Sequence, residues 1–176
     1  MKMNLISLLL LVFSTCAYAS SSESPSQSND EKYMQMLVKL AHQNPKAPFA
    51  AMIVETKTGK ILCEGLNHSS LNPTFHGEMV AINNCAAKYP GMKWSETTLY
   101  TTAEPCSMCA SAIVWADIPH LVYGTSIPSL INLGWDQINI RAQGVVDKSP
   151  FYHGDIKGGI LSDETDKLFV REHAHA

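Results

Sequence analysis

Two short motifs constrain this chain most, because each places reactive side chains at the predicted start of a helix. The first reads His76-x-Glu78, and the second reads Pro105-Cys106-x-x-Cys109 directly after a predicted strand. Cysteines three residues apart lie on one face of the first helical turn. The free N–H groups and the dipole of a helix start stabilise thiolates there, and proline is well suited to a helix entry. The pattern therefore predicts strand–helix units that carry chemistry at the helix starts.

The side chains of these motifs are typical of a zinc site. Thiolates and imidazole together suit Zn²⁺, and we predict His76, Cys106 and Cys109 as its ligands. Three protein ligands leave one tetrahedral position open for water, which is the catalytic pattern, whereas structural sites take four ligands. Zinc lowers the pKa of that water to roughly 7. Glu78 lies two residues past the histidine, so it is predicted to move protons without binding the metal.

Two other interpretations of the cysteines stay open at this point. A C-x-x-C pair after a strand is also typical of thioredoxin-like redox dithiols. A structural zinc site would need a fourth ligand, for which Cys63, Cys85 and His68 are the candidates. Cys63 and Cys85 fall in a predicted strand and a predicted helix, and we interpret them as buried apolar residues rather than as a disulfide.

The rest of the chain alternates between helical and strand patterns. Helices are predicted over 76–87, 106–116 and 129–133, with a further one capped by Asp30 and ended at Asn44-Pro45, and a last one capped by Asp163. Strands are predicted over 49–55, 61–66, 97–102, 120–124 and 138–146. The first two strands form a hairpin. This order predicts an α/β fold in which a five-stranded mixed sheet lies between helices in a three-layer α/β/α arrangement.

The N-terminus has the features of an export signal. A basic residue, an apolar run over 5–13 and a small-x-small site ending at Ala19 predict a signal peptide over 1–19, cleaved after Ala19. The run is too short for a permanent membrane anchor, so we expect a secreted or periplasmic protein with no membrane contact after cleavage. Residues 20–30 are rich in serine and lack apolar side chains, which predicts a disordered linker. The folded domain is predicted over 31–176.

The two motifs resemble the signature of the zinc-dependent cytidine and nucleobase deaminase superfamily. The sequence around Cys106 resembles the guanine deaminase and tRNA adenosine deaminase branch, and the resemblance extends from the hairpin at 49 to the helix after 161. It implies a cytidine deaminase-like fold and the zinc ligands and proton shuttle described above. The common family form has alanine where this chain has Gly77, a change expected to loosen the helix start.

The resemblance also indicates substrate-binding residues. Asn67 lies where this branch places a base-contacting asparagine, and Trp115 resembles an aromatic position of guanine deaminases. Each has a structural alternative, because asparagine often caps turns and a tryptophan at such spacing is often a core residue. Guanine deaminases commonly carry an acidic residue after the fourth strand, whereas residues 126–133 of this chain contain none.

The activity implied by the resemblance is hydrolytic deamination of a free nucleobase or nucleoside. Guanine, converted to xanthine and ammonia, is the first expectation, and adenosine or cytosine compounds are the alternatives. The net charge of −3 and the predicted export disfavour a nucleic acid polymer as substrate. The branch commonly forms dimers, so a homodimer is expected. The alternative class is an exported thiol redox or structural-zinc protein without deaminase activity.

Overall fold

The computed structural model describes residues 25–171, in which helices and strands alternate. In chain order the elements are α1 Pro25–Ala41, β1 Ala50–Glu55, β2 Ile61–Leu66, α2 Gly77–Lys88, β3 Thr97–Ala103, α3 Ser107–Trp115, β4 His120–Thr125, α4 Ile127–Asn132, α5 Ala142–Asp147, β5 Asp155–Lys157 and α6 Ser162–Leu168. The strands form one sheet in the order β2-β1-β3-β4-β5. Strand β1 is antiparallel to β2 and β3, while β3, β4 and β5 are mutually parallel neighbours. The predicted hairpin and mixed sheet are confirmed.

Helices cover both faces of the sheet, because successive side chains of a strand point to opposite sides. In β1, Ala51 and Ile53 face a core that contains α2, α3 and α5 residues such as Ala81 and Ile113. Met52 and Val54 face the opposite core, which contains Leu37 and other residues of α1, and Leu168 of α6 packs against it. The three-layer α/β/α prediction is confirmed. Within residues 25–171, no helix combines the length and apolarity that a membrane span requires.

The fifth strand is not where the sequence pattern predicted it. Residues 138–146 form a loop and most of α5, and β5 is the short segment Asp155–Lys157 beside β4. Ile138 and Ile140 are exposed, so the apolar alternation there does not form a buried face. The Glu104 carboxylate instead accepts hydrogen bonds from Ala142 N and the Arg141 side chain. This tertiary contact helps to fix the beginning of a helix.

The first helix begins earlier than predicted. Helix α1 starts at Pro25, so residues 25–30 are helical rather than a disordered linker, and Asp30 lies inside the helix rather than capping it. The buried Asp30 carboxylate accepts hydrogen bonds from the Tyr100 hydroxyl (2.9 Å) and from Lys157 Nζ (2.7 Å). Both partners are distant in sequence, so no local pattern could indicate them. The predicted signal peptide, its cleavage site and the start of the linker lie outside the described residues.

Cys63 and Cys85 form a disulfide, so the prediction that they are unpaired apolar residues is wrong. Both are buried, as expected. Strand β2 and helix α2 approach closely because Gly65 has no side chain to separate them: a Cβ there would collide with backbone atoms of Gly77 and Ala81. This approach sets the Cα atoms of the two cysteines 5.5 Å apart, a separation that suits a disulfide.

Candidate active site

The two sequence motifs lie at the starts of α2 and α3. His76 and Cys106 are the N-cap residues of these helices, each with an extended backbone, and Cys109 lies in the first turn of α3. The helices therefore start one residue later than predicted, with His76 and Cys106 in the caps. Neither cap residue uses its side chain to cap its helix. The imidazole and the thiol are therefore available for other contacts.

The three predicted ligands converge on one point. His76 Nδ1 lies 3.6 Å from Cys106 Sγ and 3.7 Å from Cys109 Sγ. The three ligand atoms all lie within 4.8 Å of one another, and this is the one group of three or more metal-binding side chains found in the described part of the chain. One imidazole and two sulfurs fit the donor preference of Zn²⁺.

The alternative of a structural zinc site loses its proposed fourth ligands. The sulfurs of Cys63 and Cys85 are bonded to each other. His68 is exposed and stands outside the metal-binding group. Neither Cys106 nor Cys109 is in a disulfide, so both sulfurs are available to bind a metal as thiolates. The geometry therefore favours a three-ligand site.

Hydrogen bonding sets the charge of the cysteine pair. The Cys109 thiol donates a hydrogen bond to Cys106, which with the nearby His76 lowers the pKa of Cys106 to about 4. The Cys106 thiolate and burial raise the pKa of Cys109. The hydrogen bond to Cys106 also raises the pKa of His76 above its ordinary value, although burial opposes this. Without metal, the cluster thus holds one thiolate and one thiol at neutral pH.

Glu78 lies beside this cluster in the first turn of α2. It is 5% exposed, and burial is the main cause that raises its pKa. Its carboxyl group is within hydrogen-bonding reach of Cys109, and the Thr101 hydroxyl lies 3.4 Å from Oε1. A buried carboxyl with a raised pKa takes up a proton more readily than an exposed one, which is what a proton shuttle requires.

Asn67 is buried on the loop that follows β2. Its Oδ1 accepts hydrogen bonds from the backbone N–H of Ser69 (3.0 Å) and the Ser69 hydroxyl (2.8 Å), so the turn-capping alternative is confirmed for this atom. Its backbone N–H donates to the Phe49 carbonyl, which lies next to Gly77 at the start of α2. Among residues 25–171, none accepts a hydrogen bond from Asn67 Nδ2, so contact with a base stays a prediction for this group.

Trp115 is not a core residue, which corrects the structural alternative for it. It is 77% exposed at the last residue of α3. It lies nine positions after Cys106, which is about 14 Å along a helix. Its ring packs on exposed Phe151, with 5.1 Å between ring centroids. The structure thus places Trp115 away from the metal-binding group of its own chain.

The sequence did not indicate two residues that support the site, Thr101 and Glu104, and it indicated Gly77 only as a change that loosens the helix start. Thr101 on β3 contacts Glu78. Glu104, immediately before Pro105, is 3% exposed and paired with Arg141 at 2.7 Å. An acidic residue between a strand rich in β-branched residues and a helix-entry proline is the signal that could have indicated Glu104. Gly77 is required by space, because a Cβ there would lie 2.8 Å from the Phe49 carbonyl oxygen.

Comparison with known proteins gives the same assignment as the geometry. The family model of the cytidine and deoxycytidylate deaminase zinc-binding region matches residues 27–125. Guanine deaminase of Bacillus subtilis (strain 168) is 33% identical over 136 residues, covering 70% of this chain and 85% of that protein. The tRNA-specific adenosine deaminase of Streptococcus pyogenes is 39% identical over 99 residues, covering 53% of this chain and 61% of that protein. The match thus spans less than two thirds of this tRNA-specific relative.

A solved structure supports the same family. A variant of the protein NE0047 in complex with 8-azaguanine has a TM-score of 0.70 and 25% identity, covering 80% of this chain and 83% of that chain. The family model covers more than half of this chain, and the match to the guanine deaminase covers most of that relative. The chain therefore belongs to the cytidine and deoxycytidylate deaminase family of zinc-binding domains.

Proposed function

We propose that this protein is a zinc-dependent hydrolytic deaminase of a free nucleobase or nucleoside, and that guanine is its first substrate to test. The observation that carries the proposal is the convergence of His76, Cys106 and Cys109 within 4.8 Å, next to the buried carboxyl group of Glu78. Three ligands and an adjacent proton carrier are the parts that water activation at zinc requires.

Three observations support a small substrate over tRNA. The match to guanine deaminase covers 85% of that protein, against 61% of the tRNA-specific relative. NE0047, the structural neighbour described above, holds 8-azaguanine, a purine base analogue. The chain has a net charge of −3, and binding to a polyanion is driven largely by basic residues. Residues 126–133 lack the acidic residue that guanine deaminases commonly carry after the fourth strand, which counts against guanine. Adenosine and cytosine compounds are therefore tested beside it.

The reaction replaces the exocyclic amino group of the base with oxygen from water. A C–O bond forms, the C–N bond breaks, and ammonia leaves. His76, Cys106 and Cys109 would hold Zn²⁺, which supplies Lewis-acid activation of water. Glu78 accepts a proton from the attacking water and delivers it to the departing nitrogen. We assign Asn67 Nδ2 to orient the base edge, and the N–H groups at the start of α3 to stabilise the developing negative charge.

The proposal extends to assembly and location. Trp115 and Phe151 form an exposed aromatic pair. Contact with a second copy of the chain would remove this apolar surface from water. We therefore include a homodimer in the proposal. The Cys63–Cys85 disulfide suits an oxidising compartment, in agreement with the proposed cleavage after Ala19 and release to the periplasm or the exterior.

The test is ammonia release from guanine, adenine, cytosine and their nucleosides, with and without a zinc chelator. We expect ammonia release from at least one of these compounds, with guanine giving the highest rate. Removing zinc with the chelator should abolish the release, and adding zinc back should restore it. Release that is indifferent to the chelator would contradict the zinc site. A zinc-loaded protein that deaminates none of the compounds would contradict the proposed activity and favour the non-catalytic zinc alternative. Isolation of the native protein with a Cys106–Cys109 disulfide would favour the redox alternative.

A further inference from the structure

The Cys63–Cys85 disulfide closes a segment of the chain that contributes one half of the site. Cys63 lies on β2 and Cys85 on the last part of α2. The loop that the bond closes spans a sequence separation of 22 residues and contains Asn67, His76 and Glu78. The described site residues outside this loop lie on β3, on α3 and in the segment that joins them. One covalent bond therefore constrains every site residue that this part of the chain contributes.

Helix α2 has little apolar packing of its own to hold it in place. Its four buried residues are Gly77, Glu78, Ala81 and Cys85, which include no large apolar side chain. Burial of apolar surface is the main source of helix docking strength, and burial of the Glu78 carboxyl opposes docking. The other attachments are the close backbone contact at Gly65, near the first turns of the helix, and the packing of the half-buried Ile82 on the core. In the second half of the helix, exposed Asn84 and Lys88 side chains also donate hydrogen bonds to β2 carbonyls, at 2.8 and 3.3 Å.

We propose that the Cys63–Cys85 disulfide is a positioning device for the metal site, which holds α2 on β2 and thereby keeps His76 in reach of Cys106 and Cys109. The close contact at Gly65 fixes the first half of α2, and the disulfide fixes the second half, so together they set both the position and the rotation of the helix. The proposal rests on the proposed zinc-dependent function for its consequence, which is that metal retention depends on the oxidised state of this bond.

The test compares the wild-type protein with a Cys63→Ala/Cys85→Ala double variant. We expect amide hydrogen exchange in residues 81–88 to be about tenfold faster in the double variant. This corresponds to a decrease of RT ln 10 in the free energy of opening the helix. Zinc transfer to a competing chelator should also be about tenfold or more faster, as is common when groups that orient metal ligands are lost. Proteolytic mapping of the wild-type protein should recover a linked Cys63–Cys85 peptide.

A matched control separates positioning from general stability. Leu37→Ala, in α1 on the opposite face of the sheet, removes a fully buried side chain and lowers the stability of the whole fold. Well below its melting temperature, this variant should keep wild-type exchange in residues 81–88 and wild-type zinc transfer. A phosphine reductant gives a second control: the phosphine takes oxygen from water and becomes its oxide, and the two cysteines gain the two electrons and two protons as thiols. It should reproduce the double variant in wild-type protein and have no effect on the double variant itself.

The outcomes distinguish this proposal from the proposed activity. Equal amide exchange over 81–88 in the wild-type protein and the double variant would overturn it, as would the absence of the linked peptide. Equal rates of zinc transfer would overturn its consequence for the metal. None of these measurements uses a substrate. They can therefore confirm the positioning role even if the protein deaminates none of the compounds. If the wild-type protein binds no zinc, the proposed function fails and hydrogen exchange still decides the role of the disulfide.

Discussion

Helices α2 and α3 each deliver part of the metal-binding group, but the fold holds them in different ways. Helix α2 is held by a disulfide at one end and by a backbone contact at Gly65 at the other. The segment before α3 is held by the buried Glu104 carboxylate, which accepts hydrogen bonds from Arg141 Nε at 2.7 Å and from the N–H groups of Ile127 and Ala142 at 2.9 Å each. One half depends on a covalent bond and close approach, and the other on a charged hydrogen-bond network.

The largest effect should follow from separating α2 and β2. Gly65→Ala places a Cβ against backbone atoms of Gly77 and Ala81, which cannot move without displacing the helix. We expect a loss of about 3 kcal/mol or more in the free energy of unfolding, measured by chemical denaturation. Gly144→Ala is the matched control. Gly144 lies inside α5, and a Cβ there would meet only an Ile140 methyl group, at 3.9 Å. That change should be neutral or stabilising. Equal stability of the two variants would contradict the close contact.

The next effect tests the segment before α3. Glu104→Gln removes the charge that pairs with Arg141 and weakens several hydrogen bonds at once. Hydrogen bonds to a charged group contribute about 1.5–3 kcal/mol, and we expect a loss of about 2 kcal/mol, because Arg141 is partly exposed. Glu96→Gln, in an exposed pair with Lys93, is the control and should change stability by less than about 0.5 kcal/mol. A Glu104→Gln variant as stable as this control would show that the network does not hold the segment.

A smaller effect is expected from Gly77→Ala, which introduces the residue common in the family. The new Cβ would lie 2.8 Å from the Phe49 carbonyl oxygen, so a small shift of the helix start is required. Helix propensity favours alanine by about 1 kcal/mol, and the crowding opposes this. We expect a net loss of about 1 kcal/mol, read from the denaturation midpoint. A gain in stability would mean that the first turn of α2 has room to move, and would weaken the contrast with α3.

The two halves of the site also differ in how they bind protons. The pKa of Cys106 is lowered to about 4, so this residue is already a thiolate at pH 7, whereas the pKa of Cys109 is raised. The pKa of His76 is raised as well, so zinc must displace its proton at acidic pH. Calorimetric zinc titration in two buffers of different ionisation enthalpy should show more than one proton released near pH 6.5, and fewer as the pH rises above the pKa of His76. Binding without proton release would contradict Cys109 as a ligand.

Local sequence patterns predicted the parts of the fold that local chemistry determines. The hairpin over 49–66 and the helix starts at His76 and Cys106 are set by turn residues, strand propensity and helix-entry signals, all within a few residues. The ligand set followed because ligand chemistry is a property of residue type and spacing. Gly77 was the exception, because its spatial requirement comes from Phe49 in another element.

The failed predictions share a cause that lies outside any local window. The fifth strand was assigned to 138–146 because the apolar pattern there favours a strand, yet Glu104 fixes a helix start in that segment. The local pattern predicts that Asp30 caps a helix. Its side chain instead binds Tyr100 and Lys157, which are distant in sequence. The disulfide requires the close approach at Gly65, which sequence spacing does not reveal. In each case a tertiary contact outweighed the local preference.

The most direct measurement is on Glu78, because it separates metal binding from proton transfer. Glu78→Gln keeps the size and position of the side chain but removes its proton-carrying group. We expect wild-type zinc content by metal analysis and a fall in ammonia release of at least about 100-fold on whichever base proves to be the substrate. A variant that holds zinc and releases ammonia at the wild-type rate would contradict the proposed role of Glu78.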